Sequence, residues 1–346
     1  MSRRRIFLDR TPGETRGVVM LDDQPERLLI RRDDDDPQTQ LGARLVARVV
    51  NVEPALATAF LELGNGCEAI LPFKPDARPV RGQAIEIEIR NEARRGKLAV
   101  ARQIGVAEGA PRLIAAAPDT EAELRVLVRD AALETGRPAR EAADEAEAEA
   151  LDVVYPLPGG GDLAIEPTRA LTAVDIDLGE RKGPDAKRVA RQVNLAAVSV
   201  TARLLRLKNL GGIVVIDLVG RGHDGVALMA AARAAFAPDN PGVAIGPVGR
   251  FGTMELSLPR RTRPVAEILL RADGALSNRS LAQRLIRNIE AQAEAQRGAQ
   301  LVARCAPDIA GAAAPWLVAL RDRLGARLSL EPDAGMSRDV WEVSSR

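Results

Sequence analysis

The sequence predicts a multidomain chain of mixed α+β and α/β class, and three observations carry that prediction. Its 346 residues exceed one small domain, because single cores tend to run to about 100–200 residues. Residues 42–103 alternate apolar and polar positions in short runs broken at Glu53-Pro54 and Gly64-Asn65-Gly66, the pattern of a small all-β barrel of about five strands. Further on, "LTAVDIDLG" (171–179) and "GGIVVIDLVG" (211–220) read as apolar strands ending in aspartate, separated by a segment long enough for a crossover helix.

The remaining elements follow in order. "RRDDDD" (31–36) reads as a solvated loop before the barrel. The barrel sequence itself, with "TAFLELG", "AILP", "GQAIEIEI" and a basic hairpin "RRGK", resembles the S1 variety of OB-fold, a binder of single-stranded RNA. "DTEAELRVLVRDAAL" (119–133) opens a helix with a capping box of Thr120 and Glu123. "RPAREAADEAEAEALD" (137–152) reads as a second, largely exposed helix. The turn "PGGGD" (158–162) precedes a hairpin over "LAIEPTRALTAVDID". A long helix at about 185–208 carries Val189, Val193, Ala197, Val200 and Leu204 on one face, with Lys187, Arg188, Arg191, Arg203 and Arg206 mostly elsewhere. Strand 212–217 is expected to lie buried in a sheet. A helix near 224–236 and a strand pair around "VAIGPVGRFGTMELSL" complete that region. After the basic linker "PRRTRP" (259–264) come a helix near 280–297, a strand "AQLVAR", a helix containing Trp316 and a strand "ARLSLEP", read as a small α/β domain.

Composition narrows the function classes. With 46% hydrophobic and 28% charged residues the chain is that of an ordinary globular protein, and no apolar run approaches the roughly 18 residues of a membrane span. The basic N-terminus lacks the apolar stretch of a signal peptide, so a cytoplasmic location is expected, with no membrane partner. Cys67 and Cys305 have no CxxC partner, which speaks against structural zinc. His223 is the only histidine, which excludes an HExxH site and any mechanism needing two imidazoles. The net charge is +1, but the positive half is mostly clustered arginine, suited to a polyanion.

The candidate chemistry rests on carboxylates. A crossover between the two apolar strands would make them neighbours, with Asp175 and Asp217 together at their carboxyl ends, where α/β folds place ligands. Two such carboxylates repel unless protonated or bridged by a cation, and Mg²⁺ is the hard ion held by one or two carboxylates with retained waters. Asp177 is a further or outer-sphere candidate. Against this stands the plain reading that each aspartate caps a turn or the next helix.

"ALTAVDID", Asn194 in "RQVNLAAV", "LKNLGGIVVIDLVG" and "GRFGTMELS" resemble, in order and spacing, successive signatures of the ribonuclease E/G family of bacterial endoribonucleases. The resemblance extends to the S1-like segment and, more weakly, to the C-terminal domain. It implies an S1-type OB-fold barrel (41–105) inserted in an RNase H-like region (1–40 and 106–157). A DNase I-like catalytic α/β subdomain (158–262) and a small C-terminal α/β domain (263–346) would follow. It also implies that Asp175 and Asp217 hold a catalytic Mg²⁺, or Mn²⁺ in its stead, with Asp177 where the family commonly has Asn. Arg250-Phe251 falls where the family contacts its active-site region, Phe60 matches an RNA-stacking aromatic, and Lys97 matches a phosphate contact. Ile70 stands where a second stacking aromatic is usual, so stacking should be weaker. The short 106–157 segment leaves out the family's 5′-monophosphate sensor, and no CPxC zinc link follows "RRTRP", so a monomer or homodimer is expected rather than a zinc-linked tetramer. Gly220 replaces the second Asp of the family's "IDFIDM", and His223 follows in the loop, where it is either solvated or in contact with substrate.

The resulting expectation is a Mg²⁺-dependent endoribonuclease cutting single-stranded RNA, with Arg250, Arg260 and Arg261 steering the backbone. For Arg261 a solvated linker is the competing reading. The alternative is a catalytically inactive RNA-binding adaptor on the same scaffold; a DNA-directed phosphodiesterase is a third class.

Overall fold

A computed structural model describes residues 3–181, 183, 185–325 and 327–345. Strands β1 (Arg4–Thr11), β2 (Glu14–Leu21) and β3 (Gln24–Arg32) form an antiparallel meander from the N-terminus. The chain then leaves for a barrel. Its strands are β4 (Arg44–Glu53), β5 (Thr58–Gly64), β6 (Cys67–Pro72), β7 (Ala84–Asn91) and β8 (Ala99–Val106), and a short strand β9 (Arg112–Ala115) adds to β4. Strands β4 to β8 close in the order β4-β5-β6-β8-β7 and back to β4, with β6 and β8 parallel, which is OB-fold closure. Closure pairs every strand of the barrel and buries Leu45, Leu61, Leu63, Ile85, Ile87 and Ile89 inside it.

The chain returns through α1 (Thr120–Leu127) and β10 (Leu133–Glu134), which pairs parallel to β1, and then α2 (Arg137–Leu151). The α1 cap lies one residue before the expected one: Asp119 accepts from the Ala122 amide, while Glu123 is drawn off to Arg31 at 2.5 Å. Helix α2 is not exposed as its Ala/Glu composition suggests. Ala139, Ala142, Ala143, Ala146 and Ala150 are buried, and small side chains let the helix lie close on β1–β3.

Strands β11 (Val154–Pro156), β12 (Asp162–Pro167) and β13 (Thr172–Asp177) lead into α3 (Ala186–Leu207), β14 (Gly212–Asp217) and α4 (Gly225–Ala235). The hairpin β15 (Ala244–Val248) and β16 (Thr253–Leu258) completes the region. The six strands form one sheet in the order β11-β12-β13-β14-β16-β15. Val174, Ile176, Val214, Ile216, Met254 and Leu256 line its covered face and share one core with α3. Among the described residues no layer covers the other face. Strand β14, an apolar run that reads as buried throughout, is therefore buried on one side only, and Ile213 is 52% exposed. Both faces of α3's C-terminal half are covered, so Arg203 and Arg206 are buried too. Arg203 donates to the Pro25 carbonyl and Glu149, and Arg206 to the Ala235 carbonyl and Asp239.

After a short helix α5 (Val265–Leu269), helix α6 (Asn278–Ala295), strand β17 (Leu301–Cys305), helix α7 (Pro307–Leu324) and strands β18 (Leu328–Pro332) and β19 (Trp341–Ser345) form a small α/β unit. Its sheet order is β18-β17-β19, and the third strand was not anticipated because "WEVSS" is short and half polar.

Two charged clusters hold these parts together, and one of them is "RRDDDD". It is a junction rather than a solvated loop: Arg31 pairs with Glu92 of the barrel at 2.6 Å, Arg32 with Glu14 at 2.9 Å, and Asp35 with Arg263 at 2.7 Å. Asp36 accepts a hydrogen bond from the Cys67 thiol, and burial together with that carboxylate pushes the thiol up to about 11. The second cluster lies where β1, β2, α2 and α6 meet. Arg16 bridges Glu14 and Glu147, Arg284 pairs with Glu147, and Arg287 pairs with Asp9 at 3.1 Å and Asp144 at 2.6 Å.

Candidate metal and RNA site

The connection β13-α3-β14 is a parallel crossover, and the register pairs Asp175 directly with Asp217. Neighbouring strands lie about 4.8 Å apart, so the two carboxylates stand side by side. Strand alternation puts them on the uncovered face, with Ala164 of β12 on one flank and Thr253 of β16 on the other. Both are exposed. Asp177 accepts from the Gly179 amide at 2.5 Å and so caps its turn, and Asp224 accepts from Arg191 and from the Ala227 amide, while Glu255 of β16 and Asp162 and Glu166 of β12 share the face of the pair by register. Asp175 and Asp217 enter no ion pair or hydrogen bond among the described residues. The capping explanation therefore holds for Asp177 and fails for the other two.

The donor set is all oxygen. Among the described residues no three Asp, Glu, His or Cys side chains gather into a metal cluster, so a cation on this pair would keep positions for water and phosphate. That arrangement suits Mg²⁺ better than a caged ion such as structural zinc.

Asn194, which composition alone leaves as one motif residue among others, fixes the loop behind the pair. It is 1% exposed on the inner face of α3, where its amide donates to the Val219 carbonyl at 2.9 Å and accepts from the Val219 amide at 3.1 Å. One buried side chain thus satisfies both backbone groups two residues beyond Asp217. The sequence signal was an amide between Val193 and Ala197 on an apolar face. Next to it, Gly220 has φ +90°, and a Cβ there would come within 2.9 Å of the Ala190 Cβ. An aspartate at this position would meet both obstacles.

The other expected contacts spread over the molecule. Arg250 and Phe251 occupy the exposed turn of the β15–β16 hairpin, at the same end of the sheet as Asp217, with the guanidinium stacked 4.6 Å from the ring centroid. Phe60 lies half-buried on the barrel wall in a band with Asn51, Ile70 and Val100, and its neighbour Ile70 offers no aromatic face. Lys97 is exposed on the basic hairpin, bridged to Arg94 by paired backbone bonds. Arg260 lies at the opposite end of β14 from Asp217. Its Nε donates to the Gly211 carbonyl at 3.0 Å, and its guanidinium occupies the space that a Cβ on Gly212 would need. The linker around it is docked rather than solvated: Asn91 donates to the Arg260 carbonyl, the Glu92 amide to the Arg261 carbonyl, and Arg261 to the Pro241 carbonyl. His223 is half-buried beside Gly252, where a Cβ would lie 3.1 Å from its Nε2.

Comparison with known proteins matches residues 120–261 to the Ribonuclease E/G family. That segment contains Asp175, Asn194, Asp217 and the Arg250-Phe251 turn. Over it, this chain is similar to the ribonuclease E/G family. Ribonuclease E of Haemophilus influenzae is 35% identical over 147 residues, covering 40% of this chain and 16% of that relative. Ribonuclease E of Escherichia coli K12 is 34% identical over 147 residues, or 40% of this chain and 14% of the relative. A chloroplastic ribonuclease E/G-like protein of Arabidopsis thaliana is 31% identical over 120 residues, or 33% of this chain and 12% of the relative. The matched region thus spans a small fraction of each relative's length. Among the described residues no helix is long and apolar enough to cross a membrane.

Proposed function

We propose that this chain is a ribonuclease E/G family endoribonuclease that cuts single-stranded RNA, with Mg²⁺ held by Asp175 and Asp217. The observation that carries the reading is the register pairing of two exposed carboxylates that no cation among the described residues compensates. When bound, the ion supplies an activated water and neutralises charge developing on the phosphodiester. Asp177, with one oxygen given to its turn, would have its other oxygen free to hydrogen-bond water near the pair. The Asn194 clamp keeps the backbone after Asp217 from drifting, which holds the carboxylate in its place. Arg250, stacked on Phe251, meets the RNA backbone beside the reacting phosphate. Phe60 and Lys97 on the barrel take a base and a phosphate further along the strand, and Arg260 lends positive potential at the far end of β14.

In this reading the four-stranded sheet and its helices are the RNase H-like region, the barrel is its S1 insertion, and the open six-stranded sheet is the DNase I-like catalytic half. The chain works as a monomer or homodimer in the cytoplasm without structural zinc.

The test is digestion of matched unstructured RNA and DNA oligomers, 5′-labelled, with Mg²⁺, with Mn²⁺ and with EDTA. Internal cuts in RNA that EDTA abolishes are expected. RNA binding without cuts under either metal would move the chain to the adaptor reading, and faster cutting of DNA to the third class. Equal cutting of 5′-mono- and 5′-triphosphorylated RNA is expected from a chain without the sensor.

A further inference from the structure

At the end of the sheet that carries Asp217 runs a groove of which the roles above use only Arg250 and Phe251, on one wall. It lies between the loop and helix over residues 220–233 and the hairpin turn 247–252. It starts next to the metal pair, because the Leu218 amide, one residue past Asp217, donates to the Gly252 carbonyl at 3.0 Å. Its walls are apolar where a ring could lie: Phe251 is 78% exposed, Val226 is 85% exposed, and Met229 and Val248 lie deeper. Its rim is cationic, with Arg221, Arg233 and Arg250 all exposed. The acidic group closest in the chain, Asp224, is already taken by Arg191 at 3.1 Å. His223 stands at the junction of this groove and a smaller notch toward Lys187, and among the described residues its imidazole makes no hydrogen bond.

We propose that this groove is a subsite for one unpaired nucleotide adjoining the scissile phosphodiester, its base laid against Phe251 and His223 and its phosphate held by Arg221 and Arg233. The chemistry matches in both halves. An aromatic and aliphatic floor accepts any nucleobase by stacking, and an arginine rim complements the phosphate. The segment "GRGHDG" brings Arg221 and His223 to the groove mouth. The inference rests on the nuclease reading for RNA as the polymer, while the groove's affinity for a nucleotide stands on its own geometry.

The only imidazole in the chain gives an unambiguous NMR reporter. Adding 5′-AMP without metal to the full chain is expected to shift the His223 ring resonances saturably, and inorganic phosphate at the same concentration is expected to leave them nearly unchanged. The shift should survive in the Asp175→Asn/Asp217→Asn variant. Phe251→Ala, a change at an exposed position, should weaken 5′-AMP binding about tenfold, the size of one lost base stack. It should also raise KM for RNA more than it lowers kcat. An unmoved His223 signal, or equal shifts from phosphate and 5′-AMP, would overturn the subsite. Cleavage that proceeds with an unchanged KM in Phe251→Ala would overturn it while leaving the nuclease intact. Binding of 5′-AMP by a protein that cuts no RNA would overturn the nuclease reading alone.

Discussion

Asp9, Glu14, Glu147 and Glu290, at the seam between the N-terminal sheet and the C-terminal unit, are buried and face arginines; Asp175 and Asp217 are exposed and pair with no cation among the described residues. The contrast separates two uses of one chemical group. Desolvation works against the Glu14 and Glu147 carboxylates, but Arg16 with Arg32 and Arg284 outweighs it and holds both below the ordinary range. Such groups are structural, because removing either partner strands a buried charge. Exposed carboxylates placed in register, without a partner among the described residues, add little to the fold.

The largest effect that would sharpen this contrast is on the buried side. Glu147→Gln should destabilise the fold by about 3–5 kcal/mol in a denaturant titration, since it leaves Arg16 and Arg284 without their shared partner. A loss under about 1 kcal/mol would mean the seam is wetter than its burial indicates.

Next comes a pH effect at the same seam. Glu290 lies 2.6 Å from Arg323, but burial pushes it up to about 7, with Arg323 and Arg140 opposing the rise and Asp9 and Glu294 adding to it. Its folded value lies above its unfolded one, so its contribution to stability is complete below about pH 4.5 and is lost as pH rises through about 7. The Tm advantage of Glu290→Gln over wild type should therefore grow between about pH 5 and pH 8. A flat difference across that window would show that Glu290 stays ionised in the folded state.

Smaller again is the Asn194 clamp. Asn194→Ala should cost about 1–3 kcal/mol, because the Val219 amide and carbonyl lose their partner together, and should slow cleavage by loosening the backbone after Asp217. Smallest is the exposed pair Arg191–Asp224, worth roughly 0–1 kcal/mol, so Arg191→Ala should barely move Tm.

Much of the site was legible because it is written locally. An apolar run ending in aspartate, a helix of crossover length and a second such run specify a parallel pair, and the register follows from where each run stops. The barrel was legible from alternation broken by turns. What stayed hidden depends on partners distant in sequence. The Ala/Glu helix α2 reads as exposed until β1–β3 cover it, and four aspartates in a row read as solvated until Arg263, Arg279 and the Cys67 thiol arrive from elsewhere. Arg260 reads as a cation for RNA, whereas its place at the far end of β14 follows from the two glycines that make room for it.

The most direct test compares Asp217→Asn with wild type in two measurements on one preparation, Tm without metal and Mg²⁺-dependent cleavage of unstructured RNA. An exposed, unpaired carboxylate predicts a Tm that holds or rises slightly, with stability within about 0.5 kcal/mol, and cleavage reduced by about 10²-fold or more. A folded variant that cuts RNA at the wild-type rate would contradict the account.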